Sequence, residues 1–90
     1  MMKSVNPLRR RLDRIDDDIV RLLARRLRVV REINRIKLAA SVIPRDRARE
    51  REVLARVEAA ARRRHLPPAV VKRLYRDILR SCVALARRAK

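Results

Sequence analysis

The sequence predicts an all-α fold, a chain of three helices that intertwines with a second copy as a helical homodimer. Three observations predict it. Apolar residues recur every three or four positions over three separate stretches, the four prolines fall only at the edges of those stretches, and the 90 residues contain no glycine at all. Tight hairpins and phosphate-cradling loops both depend on glycine, so strand-rich and nucleotide-binding folds are excluded from the outset.

The first stripe is Leu8, Leu12, Ile15, Ile19 and Leu22, resumed by Val29, Ile33 and Ile36. Asn6 before Pro7 is a start signal, because Asn can cap free N–H groups and Pro suits the first helical turn. With no breaker before Pro44, the first helix is expected over residues 7–40, a rod of about 50 Å. A compact domain of this size has a radius of gyration of only about 13 Å. The rod therefore overshoots what the remaining residues can cover, and a second copy is expected to complete the core. Ser41-Val42-Ile43-Pro44 is the break. A second helix is expected over 46–64 on the stripe Val53, Leu54, Val57, Ala60 and Ala61, ending in Arg62-Arg63-Arg64. Pro67-Pro68 opens the third, whose stripe is Val71, Leu74, Tyr75, Ile78, Cys82 and Leu85. His65, between them, reads as a loop residue. The whole chain, 1–90, reads as a single domain.

Composition narrows the chemistry. Lys and Arg number 27 against 10 acidic residues, a formal charge of +17, and only four of the bases are lysines. Arginine grips carboxylates and phosphates through paired hydrogen bonds, so an anionic partner is expected. A single aromatic residue, Tyr75, rules out a base-stacking platform. One cysteine and one histidine can build neither an internal disulfide nor a histidine-rich metal site. No metal and no cofactor are expected. No apolar run resembles a signal peptide or a membrane span, and a cytoplasmic location is expected.

Functional residues are sought where the pattern breaks. Arg26 stands in the core register between Leu22 and Val29. Taken alone, it could be satisfied by a carboxylate such as Glu50 or Asp18, by snorkelling along its stem, or by an anionic ligand. Lys37 lies near the same face three turns on, where it would equally suit a helix C-terminus. Glu50 and Asp46 continue the inward stripe of the second helix backward from Val57 and Val53. Acids there also compensate a helix N-terminus, worth about 0.3–1 kcal/mol each. Arg9 belongs to the run Arg9-Arg10-Arg11 at the far end of the first helix and cannot reach Lys37 within one chain. Cys82 and Ala86, one turn apart, read as small core residues.

The order of these residues resembles the all-helical (type II) chorismate mutases, from about residue 6 to 89 without a gap. The resemblance is carried by Leu8-Arg9, Ile15-Asp16, Leu22-Leu23-Ala24-Arg25-Arg26, Ile36-Lys37 and Pro44-Arg45-Asp46 with Arg49-Glu50-Arg51-Glu52. It implies an intertwined dimer and the pericyclic conversion of chorismate to prephenate, the branch step toward phenylalanine and tyrosine, with chorismate as substrate and no cofactor. Such catalysis rests on holding a dicarboxylate in a compact chair and aiming donors at the ether oxygen as its C–O bond breaks. By resemblance, Arg26 grips one carboxylate and Arg9 is donated across the dimer to the other. Lys37 serves the ether oxygen and Arg49 supports. Asp46 stands at the mouth, Glu50 accepts from the ring hydroxyl, and Cys82 occupies a position usually held by a small polar residue. Ala86 departs from the pattern, for the family commonly has Gln or Glu there as a second ether-oxygen donor, and this chain has no Gln. An ordered water, or Arg87 or Lys90 reaching inward, would fill the gap.

Two other readings compete. An isochorismate-pyruvate lyase shares the resemblance. A non-catalytic basic helical module, binding nucleic acid or a pathway enzyme, would use the +17 charge directly. The bases are spread over all three helices rather than gathered on one face, so no specific nucleic-acid partner is expected.

Overall fold

A computed structural model describes residues 4–39 and 46–88. Three helices account for nearly all of them: α1 (Asn6–Ala39), α2 (Arg47–Arg63) and α3 (Pro68–Arg87). The expected break at 41–44 lies outside the described residues, as does Lys90.

The helix ends follow from local chemistry. At the start of α1 the capping side chain is Ser4, not Asn6. Ser4 Oγ accepts the Asn6 N–H at 3.2 Å, while Val5 O takes the Arg9 N–H at 2.9 Å. The ladder thus begins at Val5, one residue before the expected point, and Asn6 is drawn inside the helix. Asp46 caps α2 with an extended backbone, its Oδ1 accepting the Arg49 N–H at 2.9 Å. The same helix ends in a Schellman arrangement: Leu66 N–H bonds to Ala61 O at 2.9 Å and His65 N–H to Arg62 O at 3.2 Å. That closure needs a left-handed residue, and His65 supplies it at φ 59° in a chain without glycine. Pro68 occupies the first turn of α3, where its missing N–H costs nothing.

α3 is the middle layer. It packs along α2 on one side and along the C-terminal part of α1 on another, while α1 and α2 do not pack on one another among the described residues. Val53, Ala61 and Cys82, all on the α2–α3 hairpin, are the buried apolar residues among those described. Lys72 and Glu58 bridge the two hairpin helices at 3.6 Å. Arg31 ties α1 to the end of α3, donating from Nη2 at 3.2 Å to Leu85 O, a last-turn carbonyl that also accepts the Arg88 N–H. The rest of α1 projects. Residues 6–25 are all exposed, including the stripe from Leu8 to Leu22. The radius of gyration is 17.0 Å, against about 12 Å for a compact chain of this length, and the long dimension is 65 Å. Among the described residues no helix is long and apolar enough to cross a membrane.

Candidate active site

The open side of this arrangement is a cavity of about 580 Å³, with α3 as floor and α1 and α2 as walls. Each wall is one helical face. On α1, Arg26, Val30, Ile33, Asn34 and Lys37 follow steps of three and four, so side chains that look scattered in sequence converge. On α2 the N-terminal turn delivers Asp46, Arg49 and Glu50, with Val53 one turn deeper. On α3 the floor is Leu79, Cys82, Val83 and Ala86, and Arg87 stands at its edge.

Of the eight positions singled out from sequence, seven meet here: Arg26, Lys37, Asp46, Arg49, Glu50, Cys82 and Ala86. Arg9 does not. It lies seventeen residues before Arg26 on the same straight helix, about 25 Å away by helical rise, and is exposed. The walls carry four cationic side chains, Arg26, Lys37, Arg49 and Arg87, against the carboxylates of Asp46 and Glu50. Apolar groups fill the remainder. Such a cavity suits a small, compact molecule with more than one negative charge and an apolar ring.

Arg26 is the most firmly held of these cations. Its Nε donates to the Tyr75 hydroxyl at 3.2 Å, and its guanidinium carbon lies 5.5 Å from the centre of the Tyr75 ring. Asp18, a candidate partner from sequence, is instead paired with Arg21 at 3.4 Å on the exposed side of α1. Among the described residues Arg26 makes no ion pair, so its paired Nη nitrogens are not neutralised by a carboxylate. Burial opposes its charge, but Tyr75 and the Cys82 thiol outweigh that and raise its pKa above the ordinary value. Arg26 is therefore cationic across the whole workable pH range.

The other charged groups have second occupations. Asp46 spends one carboxylate oxygen on the α2 cap, and Arg49 is paired with Glu52 on the outer face. Both nonetheless line the cavity. Glu50 is half-buried, and with Arg87 it also lines an adjoining cleft between α2 and α3.

A sequence model of the type II chorismate mutases matches residues 8–87. The chain belongs to that family. It is 29% identical to a bifunctional chorismate mutase/prephenate dehydratase of Aquifex aeolicus over 99% of its own length, and spans about a quarter of that longer protein. Among solved structures it resembles a chorismate mutase (form II) of Thermus thermophilus, with a TM-score of 0.85, 28% identity, and coverage of 98% of this chain and 99% of that one. Its three helices in this order are thus an arrangement that it shares with that solved chorismate mutase.

Against that background three residues stand out: Asn34 and Tyr75, which the sequence pattern did not connect with the site, and Arg87, which it offered only as a stand-in. Asn34 lies three residues before Lys37 on the cavity face, and only its helical register could have signalled it. Arg87 was anticipated as a way to compensate for Ala86, and it does line the cavity beside that methyl group. Tyr75 was read as part of an apolar stripe, whereas its hydroxyl is the partner of Arg26.

Proposed function

We propose that this chain is a chorismate mutase that rearranges chorismate to prephenate, working in the cytoplasm as a homodimer. The observation that carries the reading is the single cavity in which Arg26, Lys37, Arg49 and Arg87 face Asp46 and Glu50 over an apolar floor. The reaction is intramolecular: one C–C bond forms as the ether C–O bond breaks, and no proton is transferred. The protein's task is to hold the substrate folded and to stabilise charge on the ether oxygen.

In this reading Arg26 grips one carboxylate with its two Nη nitrogens. Lys37, about 16 Å further along α1 by helical rise, reaches back over the cavity toward the ether oxygen. Glu50 accepts from the ring hydroxyl, and Asp46 and Arg49 border the mouth. Cys82 contributes shape and a weak donor, and Ala86 contributes shape alone. Arg87 is the nearest cation on α3 to the place where that donor is missing.

The second carboxylate calls for Arg9 of a partner subunit. Support for the dimer comes from the uncovered half of α1 and from an open apolar groove of about 390 Å³ formed by Val20, Leu23, Leu27, Ile78 and Leu85. A second copy laid antiparallel would cover both and bring its own α1 start to the cavity.

The decisive assay follows the loss of chorismate absorbance with the wild type and Arg26→Ala in parallel. Turnover to prephenate by the wild type is expected, falling by on the order of 10²–10³ in Arg26→Ala with the melting transition retained. A wild type that leaves chorismate unchanged refutes the assignment, and pyruvate released from isochorismate would replace it with the lyase.

A further inference from the structure

Tyr75 is the chain's only aromatic residue, and its ring and its hydroxyl both meet the guanidinium of Arg26. We infer that Tyr75 is a positioning residue of the site: it selects which edge of Arg26 is presented to the substrate carboxylate. The inference rests on the mutase reading above and adds to it a residue outside the cavity wall.

The argument is one of donor accounting. A guanidinium has five N–H donors and can meet a carboxylate in two ways, side-on through Nε and one Nη, or end-on through both Nη nitrogens. The Nε–H of Arg26 is committed to the Tyr75 oxygen at 3.2 Å. Side-on pairing would have to break that bond, so the end-on fork is the one left for a ligand. The guanidinium carbon lies 5.5 Å from the ring centre, on the hydroxyl side, so the ring that carries the hydroxyl also limits where the group can turn. A long, flexible side chain otherwise loses considerable rotamer freedom on binding, and here much of that loss is met before the ligand arrives.

The location of Tyr75 supports an indirect role. It lies on α3, two turns before Cys82, and Cys82 forms the floor of the cavity and also favours the charge on Arg26. Arg26 is thus tied to α3 by Tyr75, two turns from the floor of the cavity. Any plain core function for Tyr75 would be served as well by phenylalanine, whose ring is the same and whose hydroxyl is absent. The hydroxyl is what needs explaining, and its partner is Arg26.

The test compares the wild type, Tyr75→Phe, Arg26→Ala and the double variant. Tyr75→Phe keeps the ring and is expected to fold as the wild type does by far-ultraviolet circular dichroism. Its kcat/KM for chorismate should fall about tenfold, most of it as a higher KM, because a looser arginine costs binding first. In the Arg26→Ala background the same change should cost less than twofold, since a residue acting only through Arg26 has nothing left to position. Tyr75→Leu, which also removes the ring, should lose more than Tyr75→Phe.

A second readout does not depend on turnover. The near-ultraviolet circular dichroism of this chain reports Tyr75 alone among aromatic side chains, and Arg26→Ala should flatten it while leaving the helical signal intact. A tyrosine band unchanged by Arg26→Ala, or a Tyr75→Phe variant within twofold of wild-type kcat/KM, overturns the inference and leaves the mutase reading standing. Absence of wild-type chorismate turnover overturns the mutase reading and this role with it.

Discussion

The two ends of the molecule use the same helical code for different purposes. In the α2–α3 hairpin the apolar stripes face one another, and Val53, Ala61 and Cys82 are buried within a single chain. In residues 6–25 of α1 an equally regular stripe faces nothing: Leu8 and Leu12 are each 56% exposed and Ile19 is 50% exposed. Fully burying a Leu or Ile side chain is worth about 1.5–3 kcal/mol, so five such residues leave several kcal/mol unrealised in one copy. The hairpin meets its own stripe within the chain, and the overhang does not. Amphipathic periodicity specifies a face, and only length and geometry say whether that face is met by the same chain.

The strongest way to break this contrast is a charge on the overhang. Ile15→Asp combined with Ile19→Asp should leave a helical monomer by sedimentation and abolish chorismate turnover, a loss on the order of 10³ or more, because on the proposed reading the cavity would then lack the partner's arginine as well as its support. A dimeric, active double variant would show that the stripe is not the interface.

Arg9→Ala is the next largest expected effect, a loss on the order of 10²–10³ in turnover with the dimer intact. It also permits a complementation experiment. Mixing the Arg9→Ala and Arg26→Ala proteins and letting subunits exchange should restore part of the activity, since one cavity of each hybrid dimer would have both arginines. No recovery on mixing would assign Arg9 to its own chain's surface.

Within the hairpin the effects should fall on stability rather than chemistry. Ala61, 2% exposed, leaves no room for a larger side chain, and Ala61→Leu should cost about 1–3 kcal/mol in thermal unfolding while kcat per folded molecule holds. The smallest effect should be a gain. His65→Gly relieves a left-handed β-carbon, and after the extra unfolded-state freedom of glycine is counted it should raise stability by about 0.5–1 kcal/mol, read as a melting temperature higher by a few degrees. No gain would mean that the histidine side chain contributes something the backbone geometry does not reveal.

These contrasts also explain how much could be read from the sequence. Helix number and order, the start of each helix and the end of α2 were readable to within a residue or so, because long uninterrupted periodicity and prolines at boundaries are strong local signals. Arg26 was readable as a candidate because a charge in an apolar register violates the local pattern. Its true neighbour was not, since a tyrosine in an apolar register looks like ordinary packing and its hydroxyl sits 49 residues away in sequence from the group it serves. Asn34 was hidden for the opposite reason: a neutral polar residue near a charged one breaks no rule. The Schellman closure at His65 was unreadable because its usual marker, glycine, is absent. Capping by Ser4 rather than Asn6 turned on a one-residue shift that propensity does not resolve.

The layering of the helices has a mechanical consequence. The two walls of the cavity, α1 and α2, each pack on α3 and not on one another, so among the described residues it is the floor that sets the gap between them. On the proposed reading, a dianion held by Arg26 and Lys37 on one wall and bordered by Arg49 on the other, with its hydroxyl on Glu50, would be a strut across that gap. Occupied molecules should therefore be stiffer as well as more stable, by about 2.7 kcal/mol at a ligand concentration one hundred times its Kd.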